Sequence, residues 1–255
     1  MNRKELKEFL DAKVEQYNTL DFIPHDPIQI PHLFTDKKDI EIASFLVATI
    51  AWGNRKSIIN NSTKLMELMD HSPADFIKNH EENDLDRFEG FVHRTFNSED
   101  CKTFMRSLQH IDKTYGGLEQ AFAKAYTEKS NLQEAISKFK TIFFEVDHLY
   151  RTQKHVSDPM KNSSAKRINM FLRWMVRKDN AGVDFGIWES IPMSALSLPL
   201  DVHTGNIARK LKILKRKQND AKAVAELDTV LRKFDPIDPI KYDFALFGLG
   251  AFKEL

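Results

Sequence analysis

Apolar residues recur at intervals of three and four along almost the whole chain, and this period constrains the fold more than any other feature. Such spacing places apolar side chains on one face of an α-helix. The pattern covers residues 4–17, 39–51, 56–69, 99–112, 117–127, 131–149, 164–177, 204–214, 219–233 and 239–252. Only nine glycines and nine prolines interrupt 255 residues, and no Asn-Gly or Asp-Gly pair marks a hairpin turn. The sequence therefore predicts an all-α protein.

Composition and motif content exclude several classes of function. A single cysteine, Cys101, rules out a disulfide framework, an iron–sulfur cluster and a cysteine-based zinc site. No two histidines lie four residues apart, and neither a phosphate-binding glycine loop nor a Gly-x-Ser-x-Gly elbow occurs. No run of eighteen apolar residues is present. We therefore expect a cytoplasmic protein without a metal ion and without a membrane partner.

Positive charge is concentrated in two segments, although the net charge is only +1. Residues 151–178 hold eight lysines and arginines against one acid, Asp158, and residues 202–217 hold six with no acid. Two basic segments that flank one site can bind the phosphates of a nucleic acid. The alternative is that both are ordinary solvated helix faces.

Asp201 is the single acidic residue of SLPLDVHTGNIARKL, the stretch that leads into the second basic segment. Lys166 falls in the first turn of the preceding basic helix, where the helix dipole disfavours an ammonium ion. Repulsion by the dipole and by the adjacent Arg167 favours the neutral amine, which is a nucleophile. A facing carboxylate can accept the proton of that amine or stabilise positive charge on an electron-poor carbon. The alternative is that Lys166 is one exposed lysine among many.

Two segments, MKNSSAKRINMFLRWMV and LPLDVHTGNIARKL, resemble the hairpin-plus-lysine helix and the aspartate segment of the helix-hairpin-helix DNA glycosylase superfamily. Residues 40–69 and 238–250 are similar to the early helix pair and the final core helix of that superfamily. The hairpin contains no glycine, and the numbers of Lys166 and Asp201 differ by 35. These departures resemble the archaeal 8-oxoguanine glycosylase branch, whose hairpin is also unusual and which also lacks an iron–sulfur cluster.

The resemblance implies a base-excision glycosylase and abasic-site lyase that acts on double-stranded DNA with an oxidised base. Lys166 would attack the sugar C1′ and form a Schiff base, and Asp201 would assist. The implied base pocket consists of Trp52, Asp243 and Phe247. The expected contacts to DNA phosphates are Asn162, Ser163, Ser164, Arg167, His203, Arg209 and Lys210. No cofactor is implied, and a monovalent cation bound by the hairpin is compatible with the resemblance.

The implied architecture is a monomer of two helical lobes with a cleft between them. Residues 38–150 would form one lobe, and residues 1–37 with 151–255 would form the other. Residues 20–37, with three prolines, would be an extended strap. Structural roles remain open for the pocket residues: a buried hydrogen bond for Asp243, and core packing for Trp52 and Phe247. The alternatives for the whole chain are a non-catalytic DNA- or RNA-binding protein of the same fold and a helical interaction protein.

Overall fold

The computed structural model describes residues 1–129, 131–252 and 254–255, and within these ranges the protein is predominantly helical. The α-helices of the described residues are α1 (Arg3–Tyr17), α2 (Lys37–Ile50), α3 (Arg55–Leu68), α4 (Pro73–Asn79), α5 (Ser98–Tyr115), α6 (Leu118–Lys129), α7 (Leu132–Phe143), α8 (Lys166–Val176), α9 (Val202–Lys210), α10 (Ala221–Phe234) and α11 (Tyr242–Ala251). Every segment with helical periodicity overlaps one of these helices, so the all-α prediction is confirmed at that level.

Three local features differ from the sequence-based expectation. The short helix α4 was not predicted, and neither was the antiparallel pair of two-residue strands, β1 (Val92–His93) and β2 (Phe96–Asn97). The predicted extended strap instead contains three short 3-10 helices, Leu20–His25, Pro27–Gln29 and Pro31–Leu33. Proline occupies the first turn of the last two, because its fixed φ suits that position and its missing N–H is not needed there.

The chain divides into two compact units. One of them comprises Asp26–Ser157. Its core is built from phenylalanines of four helices, α2, α5, α6 and α7, namely Phe45, Phe104, Phe122, Phe139 and Phe143, all fully buried. The rings of Phe104 and Phe143 meet edge to face at 4.7 Å, and those of Phe122 and Phe139 stack at 3.7 Å. Each buried phenylalanine contributes about 1.5–3 kcal/mol of hydrophobic stabilisation, so this cluster holds the unit together.

The other unit consists of Met1–His25 and Asp158–Leu255. The observed borders of the two units therefore differ from the predicted ones, which lie between residues 37 and 38 and between residues 150 and 151. In this unit α11 packs against both α1 and α9. A methyl group at Gly248 of α11 would overlap the ring of Tyr17 in α1, so only glycine allows this close approach. The end of α11 lies close to α9, since a Cβ atom at Gly250 would be 3.1 Å from the Cβ of His203.

No helix among residues 1–129, 131–252 and 254–255 combines the length and the apolar character needed to cross a membrane.

Candidate functional site

The first residue of α8 and the residue before α9 bring an amine and a carboxylate together. Lys166 Nζ lies 3.5 Å from Asp201 Oδ2. The lysine side chain is 33% exposed and the aspartate side chain 17%, so solvent and a ligand can reach the pair. The structure thus brings together the two residues that the sequence analysis selected as nucleophile and activating carboxylate.

Asp201 is held by its role as the N-cap of α9. Its Oδ1 accepts a hydrogen bond from the backbone N–H of Thr204 at 2.9 Å, which satisfies an amide that would otherwise lack a partner in the first turn. Its backbone carbonyl accepts the first helical hydrogen bond, from the N–H of Gly205 at 2.9 Å. One carboxylate oxygen is therefore used for capping, and the other faces the amine.

Lys166 follows residues 159–165, the segment predicted to form the hairpin, which adopts glycine-like backbone conformations without containing glycine. Asn162 and Ala165 both have positive φ, 64° and 47°. Asparagine is among the few residues that tolerate this region, whereas alanine costs about 1–2 kcal/mol there. The N-cap residue of α8, Ala165, gives no side-chain hydrogen bond to the first turn. The backbone N–H of Ala165 itself donates to Ser163 Oγ at 3.1 Å.

Asp243, in the first turn of α11, is buried and paired with Arg173 of α8. Burial raises the pKa of the Asp243 carboxyl to about 6, the positive charge of Arg173 opposes this rise, and the negative charge of Asp201 adds to it. Arg173 Nε also donates to Asp184 at 3.1 Å, and its guanidinium lies over the ring of Phe244, 4.5 Å from the centroid. A carboxyl group that is half protonated near pH 6 can both donate and accept a hydrogen bond.

The two predicted aromatic pocket residues lie in different units. Phe247 of α11 is half-buried and meets Phe22 edge to face at 6.1 Å. Trp52 follows α2 in the other unit, with the guanidinium of Arg94 over its ring at 5.0 Å and the imidazole of His93 edge to face at 6.2 Å. Its carbonyl oxygen lies 3.1 Å from His93 Nε2. One face of the indole is therefore already in contact with a cation.

The hairpin residues predicted to bind phosphate differ in their surroundings. Asn162 is exposed, and its Nδ2 donates to Asp220 Oδ2 at 3.3 Å. The carbonyl of Ser164 accepts from Asn169 Nδ2 at 3.0 Å. Arg167 is half-buried, and burial lowers the pKa of its guanidinium to about 10, so it remains a cation at neutral pH.

The predicted phosphate contacts on α9 fall into two groups. His203 and Lys210 are exposed, and Lys210 Nζ donates to the backbone carbonyl of Leu255 at 3.0 Å. Arg209 instead bonds within the protein: its Nε donates to the carbonyl of Arg216 at 2.8 Å and its Nη2 to Asn219 Oδ1 at 2.5 Å. Lys210 is thus better placed than Arg209 to meet an external anion.

Two residues of this site were not selected from the sequence. Arg173 forms an ion pair with Asp243. Asn219 Nδ2 donates a hydrogen bond of 2.8 Å to the backbone carbonyl of Asp201. Both contacts are tertiary, and no local pattern distinguishes either residue from its neighbours in the sequence. Within the described part of the chain, no three His, Cys, Asp or Glu side chains converge to hold a metal ion.

The fold and the site together define a helical protein with a solvent-accessible lysine–aspartate pair between two helix starts. The chain belongs to the family described as "Protein of unknown function (DUF2400)", whose sequence profile matches residues 26–252. That match includes the lysine–aspartate pair, Asp243 and both aromatic residues considered above. No curated protein and no solved structure matches the chain.

Proposed function

We propose that this protein is a DNA glycosylase and abasic-site lyase that removes an oxidised, 8-oxoguanine-like base. The observation that carries the proposal is the 3.5 Å separation of Lys166 Nζ and Asp201 Oδ2 at an accessible position. An amine becomes a nucleophile only after it loses its proton, and a carboxylate at this distance is a suitable acceptor.

The chemistry proceeds through a covalent intermediate. After Asp201 accepts a proton, the Lys166 amine attacks C1′ of the damaged nucleotide, the bond from C1′ to the base breaks, and the departing base takes a proton. Opening of the sugar ring then leaves an imine between Nζ and C1′. Loss of a proton from C2′ breaks the bond from C3′ to its phosphate oxygen, which cleaves the strand. The departing base takes the proton that Asp201 accepted, so the carboxylate regains its negative charge and stabilises the cationic imine that follows.

Features around the pair suit a polyanionic substrate. The start of α8 presents two cations, Lys166 and Arg167, and the dipole of α8 adds positive potential at the same end. The left-handed residues Asn162 and Ala165 give the hairpin the backbone form that glycines usually supply, and this form supports a close approach to a phosphate. Exposed Lys210 adds a further cation along α9, and exposed His203 adds ring nitrogens that can hydrogen-bond a phosphate.

Recognition of the base is assigned to α11. Asp243 and Phe247 lie four residues apart and therefore on the same face of the helix. Asp243 is buried and paired with Arg173, so it supports this face of α11 through that ion pair rather than by direct contact with a base edge. Phe247 offers a half-buried ring against which a base can stack.

Reductive trapping tests the proposal directly. Borohydride converts an imine between lysine and C1′ into a stable secondary amine, which appears as a protein–DNA adduct on a denaturing gel. We expect an adduct with a duplex that contains 8-oxoguanine or an abasic site. Lys166→Gln should give no adduct, and Asp201→Asn should slow its formation by a factor of about 100 to 1000.

A matched control is available just beyond the end of the same helix. Lys178 is an exposed lysine just after the end of α8, and Lys178→Gln removes the same charge and should trap like the parent protein. An adduct of parental intensity from Lys166→Gln would assign the chemistry to another amine. Absence of any adduct from the parent protein, with retained salt-dependent duplex binding, would instead support a non-catalytic nucleic-acid-binding protein.

A further inference from the structure

The loop from Arg216 to Ala221 contacts both halves of the lysine–aspartate site. On one side, Asn219 Nδ2 donates to the carbonyl oxygen of Asp201 at 2.8 Å. On the other side, Asp220 forms an isolated antiparallel β-bridge with Ser163 of the hairpin, and its Oδ2 accepts from Asn162 Nδ2 at 3.3 Å. Two consecutive residues therefore link the peptide of the carboxylate to the hairpin that precedes the amine.

The Asn219 amide has one orientation that satisfies its neighbours. The Asp201 carbonyl can only accept a hydrogen bond and the Arg209 guanidinium can only donate one, so Nδ2 must face the carbonyl and Oδ1 the guanidinium. Arg209 is fixed in turn by the carbonyl of Arg216, at 2.8 Å from its Nε. The side chain at position 219 thus needs a donor and an acceptor on adjacent atoms.

Gly205 leaves the space that the Asn219 amide occupies. A Cβ atom at position 205 would lie 2.6 Å from Asn219 Oδ1 and 2.9 Å from Arg209 Nη1. Gly205 lies within α9 with negative φ, so its backbone conformation does not require glycine. Glycine is needed at position 205 because a side chain there would collide with the Asn219–Arg209 pair, which packs against the first turn of α9.

Asp220 secures the loop itself. Its side chain caps α10 through the N–H of Ala223 at 3.1 Å and pairs with Arg216, whose Nε lies 2.6 Å from Oδ1. Hydrogen bonding to Arg216 holds the pKa of the Asp220 carboxyl below its usual range, so it is ionised at neutral pH. A loop fixed by an ion pair, a helix cap and a β-bridge can serve as a rigid reference for Asn219.

We propose that Asn219 is a positioning residue that aligns the free Asp201 carboxylate oxygen with the Lys166 amine. This inference rests on the proposed function. By holding the Asp201 carbonyl, Asn219 limits rotation of the first turn of α9, and therefore limits movement of the cap side chain. Small displacements of a catalytic group cost large factors in rate, because the reacting atoms leave their productive geometry.

Asn219→Asp is the primary test variant. It replaces the donor with an oxygen that repels the Asp201 carbonyl, while the shape of the side chain and the acceptor for Arg209 remain. We expect the single-turnover trapping rate at saturating abasic-site duplex to fall about 10- to 100-fold. Asn206→Asp makes the same charge change at an exposed position of α9, and it should leave this saturated rate within about 3-fold of the parent.

A double-mutant cycle separates positioning from a general structural defect. If Asn219 acts through the Asp201 carboxylate, Asn219→Asp should cost less than about 3-fold in an Asp201→Asn background, because that carboxylate is already absent. A defect that only reduces the folded fraction would lower both backgrounds equally. Equal losses in the two backgrounds would overturn the inference.

Gly205→Ala provides a second variant that does not change charge. Its methyl group displaces the Asn219 amide while alanine improves helix propensity, so the fold should survive. A loss of trapping rate in the same direction as Asn219→Asp is expected. Parental rates from both variants would refute the positioning role and leave the proposed function standing, whereas no adduct from the parent protein would refute both.

Discussion

Arg173→Met is the perturbation that best tests the electrostatics beneath the candidate site. Arg173 is 4% exposed and neutralises two buried carboxylates, Asp243 and Asp184. Methionine fills a similar volume but leaves Asp243 without its partner. Asp184 retains an ion pair with Arg177 at 3.0 Å, so the main consequence falls on Asp243.

The magnitude follows from the cost of a buried charge. Removal of one partner of a buried ion pair costs about 3–5 kcal/mol. Even with Arg173 present, burial raises the pKa of Asp243 from its ordinary 3.8 to about 6. That rise corresponds to about 3 kcal/mol, since a tenfold change in proton affinity is worth about 1.4 kcal/mol. Without Arg173 the pKa should rise further, and Asp243 should stay protonated to higher pH.

The sign of the pH dependence is opposite to that of an exposed, ion-paired aspartate. A carboxyl with a raised pKa in the folded protein holds a proton that the unfolded chain has already released. The free energy of unfolding therefore falls as pH rises from about 4 past the folded pKa. We expect Arg173→Met to cost about 3–5 kcal/mol at pH 8 and clearly less at pH 5.

The test is the free energy of unfolding in urea, measured at pH 5 and pH 8 for four proteins: the parent, Arg173→Met, Asp243→Asn and the double variant. The double variant should be more stable than Arg173→Met alone at pH 8, because the uncompensated carboxylate is gone. A penalty for Arg173→Met that is equal at pH 5 and pH 8, together with no recovery in the double variant, would refute the reasoning.

Two further predictions concern the same unit. Gly248→Ala should lower the free energy of unfolding by about 1–2 kcal/mol, because overpacking against the buried Tyr17 outweighs the gain of up to about 1 kcal/mol in helix propensity. Gly250→Ala should cost less, since the nearest atom would lie 3.1 Å away, and denaturant unfolding should rank the two variants in this order. Burial raises the pKa of Asp228 to about 6, so Asp228→Asn should reduce the fall in stability between about pH 4 and pH 6; parallel pH–stability curves would contradict this.

The sequence predicted the helices well because their apolar faces are long enough to show a period. Segments such as 99–112 repeat that period over several turns, and α5 covers all of it. The misses are short: α4 spans seven residues, and each strand of the β1–β2 pair spans two. A segment of two turns or fewer carries too few apolar positions to establish a period. Helix boundaries also differ from the prediction where a capping side chain sets them. Asp201 caps α9, so the helix begins at Val202 rather than at residue 204.

Local chemistry in the sequence indicated Lys166 and Asp201, but not what supports them. A lysine in a first turn and a solitary aspartate are unusual enough to notice, and the structure places their charged atoms 3.5 Å apart. Arg173 is one of eight basic residues in its segment, and its partner Asp243 is 70 residues away. Asn219 likewise acts through the Asp201 backbone 18 residues earlier. Such partners are defined by tertiary packing, and one sequence contains no local signal for them.

The energetics of the two helix starts argue that Asp201 contributes to stability and that Lys166 does not. At α9, Asp201 caps the helix and its negative charge suits the positive end of the dipole, which together contribute about 1 kcal/mol or more. At α8, the ammonium of Lys166 opposes the dipole by about 0.3–1 kcal/mol. A partly exposed ion pair returns about 0–1 kcal/mol, so the net contribution of the lysine is close to zero. A cation placed where folding gains nothing from it, beside a carboxylate with one oxygen left free, is consistent with selection for chemistry rather than for the fold.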